Sequence, residues 1–573
     1  MQPPSALRVL RPACRGRYGL LAGSAGLGLL TVLLDLARPW PLAFAVDHAF
    51  SAHPVAGLSP TVILVLAGTA LLAITGTLAL LDMTAIVWAE RAAERIGADL
   101  RNTVFTHAIS LSPRWHDRMR SGELISRLTT DVGRLLDALV AVTITLLPDA
   151  LRLTLVLTVL YVLDPGLTAV AVAVVPVLMA FAVRQRRRVR SVQQDARAEA
   201  GRLASTVTDL VRNVRAVQAF GRMPRAAASF GTRNAAVRDV NCRAVTVEAR
   251  WSPVADLLLA VGSGLVLVIG GHAVLTGRLS TGQLLVVISY VSSLYAPIRA
   301  LSRLSGMLAK STASADRIDE VLASCDRITD RPGALRVPPA IDEIRFDAVS
   351  FAYRAGTPVL ADLDLSLHAG ETVALVGPSG CGKSTILSLL LRLYDVDAGA
   401  ITVNGIDVRD LRTTELRRRI AYLPQDAWLL DATIAENIAY GMPSATRHEL
   451  LTAGRVALVD DIAARWPHGY DTVVGESGGC LSGGQRRRIA LARAVVSDAS
   501  VVLLDEPTAS LDPGSAAMVI AAIRRATAGR SVLLVTHDPH LAATADRVVS
   551  IGAADPSGQS VPVTDRAGEG VTS

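Results

Sequence analysis

The sequence predicts a multidomain chain: an all-α polytopic membrane domain of six transmembrane helices with long cytoplasmic extensions, then an α/β domain. Three observations predict it. Long apolar runs are confined to residues 1–310, arginine is distributed unevenly between the segments that separate them, and from Ile341 onward short apolar strands alternate with helices. At 573 residues the chain exceeds one ordinary domain. Its apolar fraction of 51% against 19% charged residues, with a mean hydropathy of +0.39, is greasier than a soluble chain of this size would be.

A membrane-crossing helix needs about 20 mostly apolar residues. Thr61–Leu81 is free of charge and Leu257–Leu275 is interrupted only by a histidine; Tyr18–Phe44, Ala138–Leu163, Leu167–Val183 and Gln283–Leu304 complete the six spans. Basic residues stay on the cytoplasmic side of a bilayer. The segments after spans one, three and five (Asp47–Pro60, Asp164–Gly166, Thr276–Gly282) hold a single arginine, Arg278. The N-terminus, the segment after span two and the segment opening at Arg184 are arginine-rich. Both termini are therefore expected in the cytoplasm. The basic N-terminus before an apolar run resembles a signal peptide, but the run is too long and lacks a convincing small-residue cleavage site, so it reads as a retained first span of a cell-membrane protein.

The cytoplasmic segments 89–136 and 184–250 carry apolar residues three or four apart, as in Leu100, Val104, Phe105, Ala108 and Leu111, which predicts amphipathic stalk helices. Their turning points are expected at Ser112–Asp117 and Ala219–Pro224, where Trp115 and Phe220 would dock onto the following domain near Gln425.

Of the 58 basic residues only Lys310 and Lys383 are lysine. That skew reads as a coding bias toward arginine and not as a nucleic-acid surface, and it marks Lys383 as a position where arginine does not serve. Five scattered cysteines form no CxxC pair, so neither a disulfide framework nor a zinc site is expected.

Residues 311–340 read as a linker, 341–555 as the α/β domain and 556–573 as a disordered tail. In the α/β domain the apolar strand Thr372–Val376 runs into Gly377, Pro378, Ser379, Gly380, Cys381, Gly382, Lys383, Ser384 and Thr385 and then an apolar helix. This is the P-loop pattern GxxxxGK[ST] in its strand–loop–helix setting. Glycines let backbone N–H groups converge on phosphate oxygens at a helix N-terminus. Lys383 is expected on the β- and γ-phosphates of ATP and Ser384 on Mg²⁺. The apolar strand Val501–Leu504 ejects Asp505 and Glu506, placing Asp505 to hold the metal and Glu506 to activate water.

Leu481-Ser482-Gly483-Gly484-Gln485 opens an arginine-rich helix upstream of that strand. With it, the chain resembles an ATP-binding cassette (ABC) protein, whose signature is LSGGQ, and the resemblance covers nearly the whole chain. It implies further roles: Tyr353 stacks on adenine, Gln425 ligates Mg²⁺ and senses the membrane domain, Ala509–Asp512 forms the D-loop, and His537 contacts the γ-phosphate. Gly122–Leu128 with Asp131 resembles the first stalk of exporters that carry six spans ahead of the cassette. Ser477 departs from the arginine frequent in the exporters' cross-talk segment.

The resemblance implies a half-transporter that pairs with a second chain, identical or not, so that Ser482, Gly483, Gly484 and Gln485 of one cassette close over the P-loop of the other. It implies an ATPase exporting an amphipathic drug, lipid or peptide, with an importer on the same fold as the alternative. An intact Glu506 and His537 argue against an ATP-gated channel, and the membrane spans against a soluble repair or translation ATPase. Asp35, Asp82 and Asp149 lie in or near spans and would suit cationic cargo, whereas Asp35–Arg38 and Asp149–Arg152 are spaced i,i+3 and can neutralise each other.

Overall fold

The computed structural model describes residues 5–49, 59–354, 356–509, 511–552 and 564–567. The chain forms two compact units. One is Met1–Ala108 with Gly122–Ala323, and the other is Ile109–Ser121 with Ser324–Ser573. The segment 311–340 read as a linker is thus divided: up to Ala323 it completes the helix Tyr295–Ala323. The tip 109–121 belongs with the second unit although it lies early in the chain.

The first unit is all helix. Tyr18–Ala49, Pro60–Ser110 and Gly122–Leu163 are long and apolar enough to cross a membrane, and their most apolar stretches are only 22%, 11% and 17% buried. Leu66, Leu72, Leu80 and Val162 stand well exposed. So much outward-facing hydrocarbon is stable only against lipid. The other three apolar segments fall on Pro165–Arg212, on Trp251–Leu275, and on Thr281–Ser293 continued by Tyr295–Ala323. Many side chains of Leu167–Val183 lie outside the described residues.

The second span and its stalk are one 51-residue helix, Pro60–Ser110, and the fourth span and its stalk a 48-residue helix, Pro165–Arg212. Leu100, Val104 and Ala108 are buried along the first stalk, whereas Phe105, counted into the same stripe, is 51% exposed. It follows Val104 by one residue, about 100° round the helix, which carries it off the buried face. The turning points are Pro113–Arg118, a short helix N-capped by Ser112, and the turn at Gly221 between Val214–Ala219 and Met223–Ala249. Phe220 is 78% exposed at that second tip.

Polar contacts fasten the helices where apolar packing cannot specify register. Asp47 accepts from Ser280 Oγ (2.5 Å) and Gly282 N (2.7 Å), tying the helix Trp40–Ala49 to the start of Thr281–Ser293. Gly282 is required there, because a Cβ would lie 2.4 Å from the Ala43 carbonyl. Arg152 reaches Asp35 of the first span at 3.5 Å and Asp149 at 4.0 Å. Asp35 therefore pairs across helices, not with Arg38 as its i,i+3 spacing suggested, since helix packing brings a guanidinium within reach. Asp82 is exposed.

The Gly122–Asp131 motif is a buried charge clamp. A π-helical turn, Arg127–Asp131, turns both Arg127 and Asp131 inward, an irregularity frequent where a helix serves a special purpose. Asp131 accepts from Ser314 Oγ (2.8 Å) and Arg317 Nε (2.8 Å), with a second, shorter contact from Arg317 Nη2. Arg127 donates to the Arg317 carbonyl (2.9 Å) and Glu123 (2.6 Å) and pairs with Glu320 (2.9 Å).

The second unit holds two sheets. The strands are β1 Glu343–Phe351, β2 Leu360–His368, β3 Thr372–Val376, β4 Ala398–Val403, β5 Ile406–Asp407, β6 Ile420–Leu423, β7 Val501–Asp505, β8 Ser531–Val535, β9 Arg547–Ser550 and β10 Thr564–Ala567. An antiparallel sheet runs β2-β1-β4-β5. The other runs β10-β9-β3-β8-β7-β6, parallel except for its β10 edge. Every residue of β7 and β8 is buried, as expected for parallel strands covered on both faces. Thr564–Ala567 corrects the reading of 556–573 as wholly disordered, because these residues pair with β9; the rest of that tail lies outside the described residues.

Asp131→Ala removes the acceptor shared by Ser314 and Arg317. The Arg317 guanidinium left behind is 39% exposed and regains water, so the cost is that of the lost hydrogen bonds, about 1–2 kcal/mol. The expected outcome is a lowered thermal unfolding midpoint of the full chain; an unchanged midpoint would show that the clamp is not structural.

Candidate functional site

In an open parallel sheet, loops at the carboxyl ends of the strands gather into a cleft. Here β3, β6, β7 and β8 each deliver a predicted residue there: Gly377 onward after β3, Gln425 after β6, Asp505 and Glu506 at the end of β7, and His537 after β8.

The P-loop is tightly fitted. A Cβ on Gly377 would lie 2.2 Å from the Ile551 carbonyl, and Gly382 stands at φ +96 before the helix Lys383–Leu390. Lys383 is 5% exposed, and its Nζ donates to the carbonyls of Gly377 and Pro378, both at 2.8 Å. Its ammonium is thus folded into the mouth of the loop formed by Gly377–Gly382, with Ser379, Gly380 and Cys381 completing the turn. Ser384 Oγ donates to Asp505 Oδ1 at 3.0 Å. Thr385 Oγ1 is 3.1 Å from the Tyr353 hydroxyl, and Tyr353 stands edge-on to Phe351 and Tyr394.

Glu506 has the least comfortable backbone of the site. It sits at φ +45, a conformation a side-chain-bearing residue rarely takes, and strain of this kind collects at functional positions. Its N–H donates to the Val535 carbonyl of β8 (2.9 Å). Its carboxylate is held from two sides, by Gln425 Nε2 at 3.1 Å and by His537 Nε2 at 3.1 Å. Asp505 beside it is 3% exposed. Burial pushes its carboxyl above the ordinary carboxylate range and the nearby Glu506 adds to this, while the Ser384 hydroxyl and Lys383 oppose. Two hard oxygen donors, one on a carboxylate whose charge is poorly solvated, fit a small divalent cation such as Mg²⁺.

The signature residues take a different place. Ser482 caps the helix Gly483–Val496 in a capping box with Gln485, and Gly484 lies close against Ser515. Among the described residues no hydrogen bond or ion pair joins Ser482, Gly483, Gly484 or Gln485 to the P-loop. The structure therefore brings Tyr353, the P-loop, Gln425, Asp505, Glu506 and His537 together and leaves the signature apart. Asp512 caps the helix Pro513–Ala526; Ser510 of the D-loop lies outside the described residues.

Sequence reading missed Arg487, two residues past the signature. It donates to the Ala509 carbonyl and, at 3.5 Å, to the Gln425 carbonyl, so one guanidinium ties the D-loop to the loop carrying Gln425. The first stalk tip also docks differently from expectation. Within its own compact unit, Ser112 binds Asp326 through backbone N–H and hydroxyl (both 2.7 Å), Arg114 donates to the Ala352 carbonyl (3.2 Å) and lies over the Phe351 ring, and Asp117 accepts from Tyr394 (3.1 Å). The tip sits beside Tyr353, not beside Gln425. The contacts are polar and run through Arg114 and Asp117, which an apolar criterion centred on Trp115 could not pick out.

Comparison with known proteins agrees with this geometry. Residues 360–509 match the ABC transporter family and 24–298 the ABC transporter transmembrane region. An ATP-dependent lipid A-core flippase of Syntrophus aciditrophicus is 32% identical over 80% of this chain and 76% of that protein. A multidrug efflux ATP-binding/permease protein of Mycobacterium tuberculosis is 33% identical over 93% of this chain but only 44% of that protein. The structure of a bacterial Atm1-family ABC exporter with ATP bound superposes with a TM-score of 0.78 at 26% identity over 95% of both chains. The chain belongs to the ABC transporter family. It is an ATPase of that class, its helical membrane region and its nucleotide-binding cassette fused in one polypeptide.

Asp505→Asn tests the burial argument. A carboxyl whose folded pKa is raised costs stability once ionised, above that pKa, and costs nothing below it. In the nucleotide-free chain at pH 7.5 the variant is expected to unfold at or above the wild-type midpoint, and the gain wild type shows on acidification toward pH 5 should shrink. A lower midpoint would contradict the assignment.

Proposed function

We propose that this chain is one half of a dimeric ATP-driven exporter that moves an amphipathic molecule (a drug, lipid or peptide) out across the cell membrane. Both termini and the cassette lie on the cytoplasmic side, as the arginine distribution supports. ATP-driven export agrees with the flippase and efflux names of the relatives, which do not favour the importing alternative.

The observation that carries the reading is Glu506 held at φ +45 between Gln425 and His537, next to the Ser384–Asp505 pair. In this reading the P-loop N–H groups and Lys383 bind the β- and γ-phosphates, and the Tyr353 ring lies against adenine. Ser384 and Asp505, with Gln425, hold Mg²⁺, which supplies charge neutralisation on the phosphates. Glu506 orients and deprotonates the attacking water, and His537 fixes the Glu506 carboxylate and donates toward the γ-phosphate. A nucleotide would draw Lys383 off the carbonyls of Gly377 and Pro378.

Among the described residues the signature makes no hydrogen bond or ion pair with its own P-loop, yet it presents a capped helix N-terminus, which suits a phosphate delivered from another surface. That supports a second chain, identical or not, completing each site. The tip Pro113–Arg118, bound beside Tyr353 in the cassette's own compact unit and continuous in the chain with the helix Pro60–Ser110, is the segment through which ATP chemistry would reach the membrane helices.

Reconstituted vesicles with outward-facing cassettes provide the test. ATP should load an amphipathic probe into the lumen with wild-type chain and not with Lys383→Ala. Glu506→Gln should still bind ATP while hydrolysis falls by about 10²–10⁴-fold. Normal hydrolysis by Glu506→Gln would remove Glu506 as the base, and ATP-driven loss of lumenal probe would mean import.

A further inference from the structure

The membrane unit contains a cavity of about 730 Å³ that the ATP chemistry does not use. Three helices wall it. Arg134 and Asp137 come from Val132–Ala141, Gln193 and Arg197 from Pro165–Arg212, and Met307 and Lys310 from Tyr295–Ala323. Arg134 and Asp137 lie within about one turn of the start of the third apolar run at Ala138. Lys310 lies about two turns past the end of the sixth at Leu304. The cavity is therefore at the mouth of the membrane domain, on the arginine-rich side.

Its chemistry is one-sided. Arg134, Arg197 and Lys310 face a single carboxylate, Asp137. Arg134 lies 3.6 Å from Asp131, whose carboxylate is already engaged by Arg317 and Ser314. Among the described residues Arg197 and Lys310 have no ion-pair partner. Gln193 adds an amide, and Met307 and neighbouring alanines add apolar wall. Arg197 and Lys310 therefore leave the cavity with a net positive charge beyond what Asp137 offsets, which favours an entering anion. The volume falls within the range of small-molecule sites, about 300–1,000 Å³.

Lys310 sharpens this. In a chain whose basic residues are otherwise arginine, the two lysines stand in the P-loop and in this cavity. An ammonium is a compact point charge with three rotatable donors, whereas a guanidinium is a rigid planar fork. Both cations bind phosphate, the guanidinium through a bidentate fork and the ammonium as a point charge.

We propose that this cavity binds a phosphate-class oxyanion carried on an apolar body, with Lys310 and Arg197 as its main contacts and Met307 against the apolar part. The site rests on the export reading only for its place at the cytoplasmic mouth; binding itself requires no turnover. The same chemistry could arrive as the headgroup of an anionic phospholipid or as a soluble phosphate amphiphile.

The test is calorimetric titration of the purified full chain, without nucleotide, using dodecyl phosphate below its micelle concentration and dodecyltrimethylammonium as the charge-reversed control. Dodecyl phosphate should bind, more weakly as salt rises, and the ammonium should not. Lys310→Ala and Arg197→Ala should each weaken binding about tenfold, whereas Lys310→Arg, which keeps the charge, should retain most of it. Both residues are exposed, so an unchanged unfolding midpoint is expected to show that the variants fold. The empty P-loop is itself a phosphate site, so the titration is repeated on Lys383→Ala: binding that persists there and is lost with Lys310→Ala belongs to this cavity whatever becomes of the ATP-driven reading, whereas binding lost in Lys383→Ala belongs to the P-loop and would overturn the proposal. A second arm repeats the titration in nanodiscs of phosphatidylcholine with or without phosphatidylglycerol. Competition by phosphatidylglycerol identifies a lipid headgroup, and its absence a soluble anion. Wild-type affinity in Lys310→Ala together with Arg197→Ala, or equal binding of the two detergents, would overturn the proposal.

Discussion

The cassette depends on how one turn is held at the end of β7. Asp505 closes the strand inside the sheet and Glu506 leaves it at φ +45, pinned by a backbone bond to Val535 of the neighbouring strand. An L-residue in that region resists staying there, so the surrounding sheet must over-determine it. The parallel pairing of β7 with both β6 and β8 does this, and it also fixes where Gln425 and His537 emerge. The carboxylate that both side chains grip is therefore aimed by strand register and not by its own rotamer. Adjacent residues acquire opposite characters from this geometry, Asp505 buried beside Ser384 and Glu506 held in the cleft.

In the membrane unit, lipid-facing leucines and valines give little preference for one helix register over another, because lipid and leucine are equally apolar. The register is carried by a few polar fastenings: Asp47 on the Thr281 helix, Arg152 between Asp35 and Asp149, and the Arg127–Asp131–Arg317 clamp at the stalk. The clamp is the most enclosed, and it joins the first stalk to the helix that ends at Ala323, immediately before the cassette. A helix movement passing that point would have to carry the other along.

What the sequence made legible was contiguous. The P-loop, the Asp505–Glu506 pair and the signature are each a short run whose chemistry depends on local backbone. Strand-end placement of Gln425 and His537 followed once the sheet was parallel. Contacts between segments far apart in the chain were not legible. Arg487 reaching Ala509, Arg114 meeting Phe351 and Asp117 meeting Tyr394 depend on tertiary packing that no local period encodes. The i,i+3 rule paired Asp35 with Arg38 because it sees only one helix, whereas the neighbouring helix supplied Arg152. Phe105 fell off its stripe because apolar spacing was counted without its angular consequence. Thr564–Ala567 is too short and polar to announce itself as a strand, and it forms one only because β9 offers an open edge.

The central claim is that a complete ATP site needs two chains, because among the described residues the signature at Ser482 makes no hydrogen bond or ion pair with the P-loop at Lys383 of its own chain. Co-reconstitution of Lys383→Ala chains with Ser482→Arg chains, each inactive as a pure population, measures this directly. The account predicts that the mixture recovers a substantial fraction of wild-type ATPase, since mixed dimers contain one intact P-loop facing one intact signature. No recovery from mixtures shown to contain mixed dimers, or full ATPase from wild-type chains shown to be monomeric, would contradict it.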